Sequence, residues 1–327
     1  MARLMFLLAG VLLAGCTSLG PAPPVPSPTP APNTVTAIKL PDGSFPRSPF
    51  VAPDGSVWCS ETSGEALGRI DQNGAVTHVR IPGNNNSPAG IVHGPDGLIW
   101  FAGFQMIGRV SATGTVTGWR SADVGLPNAI AAGQDNAVWY TNEKLPPAIS
   151  RITASGAIQH RTLQTTDPLI KLPGLTAGPD QALWFTVTSN ARGATHAVGR
   201  MPVDGSSYRL FPLPAESGPG TIVAGSDDAL WFTTGRGIGR MSTTGDFTEH
   251  PVPGDARPLD IATGPDGSLW FTTDQSRIGR ITTSGRITMH DTTGAKSLTG
   301  GLAVSPDGTL WITDGPGNTV WRYSPMR

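Results

Sequence analysis

Cysteine is nearly missing from this chain: Cys16 and Cys59 are the only two in 327 residues. A fold stapled by several disulfides is therefore excluded. Charge is sparse as well, at 14% of residues with a formal net charge of -1. No basic field is left for nucleic acid, and no acidic run for a solvated tail. The first apolar run, residues 4–13, is too short to cross a membrane as a stable helix. Glycine and proline are abundant instead, at 42 and 31 residues. Such a surplus implies many tight turns, hence many short strands and no long helices.

Arg3 and the apolar run after it read as a secretory signal over residues 1–15. The run ends LAGC, which resembles the lipobox of bacterial lipoproteins. That resemblance implies cleavage before Cys16, acylation of Cys16 and an extracytoplasmic protein anchored to the cell membrane or outer membrane. Residues 16–33 carry the lipidated cysteine and the run LGPAPPVPSPTPAP, which favours an extended polyproline stalk over helix or strand. With Cys16 acylated, Cys59 has no partner within the chain and reads as a small buried apolar residue.

Internal repetition organises residues 34–327. Trp58, Trp100, Trp139, Trp184, Trp231, Trp270 and Trp311 follow one another at spacings of 42, 39, 45, 47, 39 and 41. Each follows a turn sequence: APDG, GPDG, GQDN, GPDQ, GSDD, GPDG and SPDG. A second signature comes later in each unit, as LGRI, IGRV, ISRI, VGRM, IGRM, IGRI and VWRY. Each unit thus reads as four short strands, a to d, with the tryptophan on b and the arginine on c. Four antiparallel strands repeating about every 40 residues make a propeller blade. The fold expected is all-β, a seven-bladed β-propeller. The seventh unit ends at strand c, so residues 35–40 (VTAIKL) are expected to supply its strand d against residues 320–323 and close the ring.

The seven strand-c arginines (Arg69, Arg109, Arg151, Arg200, Arg240, Arg280 and Arg322) and the seven turn aspartates recur once per blade. That repetition marks braces rather than a ligand site. In a propeller the b–c and d–a loops share one face. Those loops vary here (NEKLPPA, TSNARGATHA, GNNNS, TTDPLIK), whereas the a–b and c–d turns are short and uniform. Variable loops on a rigid frame direct attention to that face, around the central channel.

The segment GPDGSLWFTTDQSRIGRITTSGRIT resembles the repeat of the virginiamycin B (streptogramin) lyases, and the similarity runs over nearly all of residues 34–327. The resemblance implies a seven-bladed propeller that opens a cyclic depsipeptide by C–O elimination, with Mg²⁺ near the site. It also implies a proton-transferring His at the head of an inner strand, in ARPH, and a Glu after the WFT of the same blade. Here the sixth blade reads ARPLDIATG and WFTT, so Leu259 and Thr273 stand at those two positions. Neither side chain can serve as a general acid or base at neutral pH. At the histidine position the other blades carry Ala89, Asn128, Pro173, Gly220 and Gly300, with blade one not assignable by sequence. Glu61, Glu143, His196 and Asp314 are the candidates for a relocated site. The remaining histidines, His78, His160, His250 and His290, fall on outer strands, and His93 precedes a turn on the other face.

Three functional readings follow. The first is a monomeric cell-envelope binding or scaffold module, taking a glycan, peptide or protein on the variable face. The second is an active lyase with a relocated site. The third is a hydrolase of the gluconolactonase type, for which no Glu, Asn and Asp metal cluster can be assembled.

Overall fold

Each turn marked in the sequence reverses the chain. In blade one the amide of Gly55 donates to the carbonyl of Ala52, and Gly55 takes φ 78°. The side chain of Asp54 accepts from the amide of Ser56 two residues on, which fixes the turn locally. The computed structural model describes residues 34–325, apart from 112, 121, 123, 166, 192–194 and 291–299. The signal segment, Cys16 and the proline-rich stretch lie outside the described residues.

Seven antiparallel sheets follow one another along the chain, each ordered a-b-c-d. In blade six these strands are Pro258–Thr263, Leu269–Thr273, Ile278–Ile281 and Ile287–His290. Blade four departs from the expected four strands. The short strand Ile170–Lys171 also pairs with its tryptophan strand, Ala182–Ser189, making that sheet five-stranded. Apart from a single 3-10 turn at Pro253–Asp255, the described residues hold no helix.

Blade seven is composite. The N-terminal strand Thr34–Lys39 lies antiparallel to the C-terminal strand Thr319–Ser324, with Val35 opposite Tyr323 and Ile38 opposite Val320. Lys39 Nζ reaches the carbonyl of Gly317 at 3.0 Å, and the Leu40 amide donates to the carbonyl of Asn318 at 2.9 Å. The inner strands of blades seven and one then touch, so the ring is closed.

No single centre holds the core. Apolar layers lie between successive blades instead. Trp184 of blade four packs with Ile222, Leu230 and Phe232 of blade five, and Trp231 packs with Ile261, Leu269 and Phe271 of blade six. The residue after the tryptophan is a fully buried aromatic in five blades: Phe101, Tyr140, Phe185, Phe232 and Phe271. In four of those blades the ring lies over the glycine of the strand-c signature. A Cβ on Gly279 would sit 1.9 Å from Phe271 Cζ, and one on Gly199 would sit 2.2 Å from Phe185 Cζ. Strand d contributes a second ring layer. Trp119 stacks on Trp100, Phe211 on Trp184 and His250 on Trp231. The outer-strand imidazole of His250 is therefore a packing element.

The recurrent Asp and Arg close on each other within blades. Blades one to six each carry the pair, at 2.5 to 3.0 Å. In blades two to five the same aspartate also accepts the tryptophan indole N–H, at 2.8 to 3.0 Å. Turn, strand b and strand c are thereby tied by one carboxylate. In blade one a serine intervenes, Trp58 Nε1 donating to Ser56 Oγ and Ser56 Oγ to Asp54.

Candidate functional site

Strand a of blades one, three and six begins with a proline and then slips register. In blade six Pro258 lies opposite Thr273, and the ladder resumes with Asp260 opposite Thr272. Leu259 sits at the slip. Blade one also opens on a proline, Pro46 opposite Glu61, but Arg47 stays in register opposite Ser60 and the slip falls between Arg47 and Phe50. Counted back from the turn aspartates, Arg47 before Asp54 and Leu259 before Asp266 stand at the same place.

At this level the inner strands line a cavity of about 450 Å³ on the variable face, walled by blades one, five, six and seven. Arg47, Ser48, Thr221, Leu259, Asp260 and Gly301 are among its lining residues. Asp260 is the residue that sequence reasoning missed. Its Oδ2 accepts from the amide of Leu302 in blade seven at 2.7 Å, and its Oδ1 from the amide of Ile261 at 2.9 Å. Burial pushes its carboxyl up to about 6, against hydrogen bonds from both amides and from Thr221 that favour the ionised form. The signal was a charged residue in a column of small ones. The other blades carry Ser48, Gly90, Ala129, Gly174, Thr221 and Gly301 there.

Thr273, at the glutamate position of the resemblance, is fully buried. Its hydroxyl donates to the carbonyl of Arg277 at 3.1 Å and accepts the amide of the same residue at 3.2 Å. Both functions of the hydroxyl are spent on closing the b–c turn. A Mg²⁺ ion prefers carboxylate and water oxygens. Among the described residues no group of three or more His, Cys, Asp or Glu is arranged to hold a metal. The residues at the family position therefore do not fit that ion.

The four relocated-site candidates each have partners of their own. Glu61 is buried, its Oε2 accepting from Ser44 Oγ at 3.3 Å and its Oε1 lying 2.6 Å from His78 Nδ1. This carboxylate–imidazole pair spans strands b and d of blade one. Glu143 reaches from blade three to the next blade, accepting from the Leu172 amide at 3.1 Å and pairing with Lys171 at 3.2 Å. It also accepts from Asn128 Nδ2 at 3.3 Å. His196 is buried, and its Nδ1 lies 3.1 Å from Thr188 Oγ1 on the paired strand. Asp314 accepts the Gly317 amide at 2.9 Å and caps the b–c turn of blade seven. None of these contacts joins one candidate to another. Cys59 is wholly buried, and burial together with the nearby Glu61 charge pushes its thiol well up, so it is no nucleophile.

Two family-model matches, described as the virginiamycin B lyase family, cover residues 30–193 and 170–326. A virginiamycin B lyase of Nocardia farcinica is 32% identical over 201 residues, which is 61% of this chain. That alignment spans 66% of the Nocardia protein, just under two thirds of its length. Among solved structures, the virginiamycin B lyase of Staphylococcus aureus superposes with a TM-score of 0.80 at 28% identity. It covers 90% of this chain and all of its own. A catalytically inactive histidine-to-alanine variant of that Staphylococcus enzyme, solved with quinupristin, matches equally well over the same share of both chains.

Proposed function

The chain belongs to the virginiamycin B lyase family, and from that premise we propose that it is a membrane-tethered binding module of the family without its elimination chemistry. One observation supports the reading: Leu259 and Thr273 stand where the resemblance places the family's histidine and glutamate. Opening a depsipeptide by elimination needs a base to take a proton and a group to assist the departing oxygen. A leucine side chain exchanges no proton. The Thr273 hydroxyl is neutral and already bonded twice to Arg277. A single positioned acid or base contributes about 10² to 10⁴-fold, so losing it removes most of the acceleration. The rigid ring and its variable face are retained, which is what recognition requires.

The test is mass spectrometry of a streptogramin B antibiotic incubated with the purified protein and Mg²⁺. No linearised product above the protein-free control is expected. Ring opening at enzymatic rates would overturn the reading and favour a relocated site, to be sought first at Asp260, Glu61, Glu143, His196 and Asp314.

A further inference from the structure

The cavity at the channel mouth is more elaborate than a scaffold needs. Six blades complete the equivalent turn of strand a with Ser, Gly, Ala or Thr, so an acid at position 260 is no requirement of the fold. Its carboxylate has room for roughly four hydrogen bonds, and the Leu302 and Ile261 amides with Thr221 supply three. On the wall formed by blade one, Arg47 is exposed and its guanidinium stacks over the Phe45 ring at 5.5 Å. The strand-c arginines of blades one to six close onto aspartates, whereas Arg47 lines the cavity with Phe45 beneath it. The two residues around it in strained backbone are Phe45, at φ 50°, and Ser48, at φ 42°. Gly301 lets the backbones of blades one and seven approach closely beside Asp260. A Cβ there would lie 2.6 Å from Pro49 Cδ, 3.1 Å from the Ser48 nitrogen and 3.3 Å from Asp260 Oδ2.

The cavity therefore offers a cation on blade one and an anion on blade six, with Phe45 and Leu259 as apolar surface. Its volume falls in the range of small-molecule sites. We infer that the channel mouth binds a short peptide with free termini, its carboxylate on Arg47, its ammonium on Asp260 and an apolar side chain against Phe45 and Leu259. This names the ligand class for the binding reading above and rests on it. Arg47 forks onto a carboxylate in two parallel bonds, while Asp260 uses its remaining lone pair.

Calorimetric titration of the full chain with leucyl-phenylalanine tests the assignment. The dipeptide should bind at pH 7, and the N-acetyl and C-amide forms should each bind at least tenfold more weakly. Arg47→Ala should remove the preference for the free carboxylate, and Asp260→Asn the preference for the free amine. Between pH 7 and pH 5 the peptide termini keep their charges, whereas only about one Asp260 in ten stays ionised at the lower value. The groups bonded to Asp260 are Thr221 and the Leu302 and Ile261 amides, none of them ionisable, and Arg47 is the other charged residue of the cavity lining. Affinity should fall about tenfold over that interval and stay level in Asp260→Asn. Equal binding of free and blocked peptides, no binding, or an unaltered Arg47→Ala titration would overturn the proposal. Because Arg47 is exposed, its replacement leaves the fold intact even if Asp260→Asn does not. Failure here with no antibiotic ring opening removes only the ligand class, whereas ring opening removes the binding reading itself.

Discussion

Asp180 unites three parts of blade four. Its Oδ1 accepts from Trp184 Nε1 at 2.9 Å and its Oδ2 from Arg200 Nε at 2.6 Å. Burial alone would raise its carboxyl, yet the Trp184 and Arg200 hydrogen bonds hold it below the usual value. Removing the carboxylate leaves a buried indole N–H without its acceptor. Asp180→Ala is expected to cost about 1–3 kcal/mol, read as a lower urea midpoint at unchanged slope. Because the folded value is depressed, this stabilisation is present above the ordinary aspartate range and is lost as pH falls through the folded value. The difference between parent and variant should therefore shrink in acid. The repeating Asp and Arg were legible as braces because they recur in every blade. Asp260 was not, since it lies one residue past Leu259, the position that the resemblance marks. Glu61 was legible as an acid, but its tie to His78 depends on two strands 17 residues apart meeting across a glycine.

The strands themselves could be read because turn sequences and tryptophans mark both ends of every a–b hairpin. Closure by Thr34–Lys39 was readable from the missing last strand of the seventh unit. Two features were hidden. The slip in strand a has no letter of its own, and it falls at different residues in blades one and six. The other is the role of the glycine in the strand-c signature, which makes room for the aromatic ring of the neighbouring strand. Gly279→Ala would place a methyl group against Phe271 and force that ring to move. Overpacking of this kind costs about 1–3 kcal/mol, expected as a lower unfolding temperature. Unaltered thermal unfolding of Gly279→Ala would show that the ring layer is looser than its geometry.

For the molecule as a whole, the family and the ring are evident in the repeat, while what the ring does depends on the few side chains where it differs from its relatives. Tethering through Cys16 is the part of our proposal that acts at this scale. Cys16→Ser should move the protein from the membrane to the soluble fraction in cell fractionation, and retention of the variant with membranes would remove the tether. The composite seventh blade then acquires a second meaning. Its N-terminal strand starts at Thr34, level with the short c–d turns of the other blades, and runs toward the long loops, where Lys39 meets Thr319. Thr34 therefore enters the ring on the side opposite the channel mouth. If the chain is tethered through Cys16 as proposed, the tether reaches the ring on its short-turn side, which leaves the channel mouth on the face away from the point of attachment.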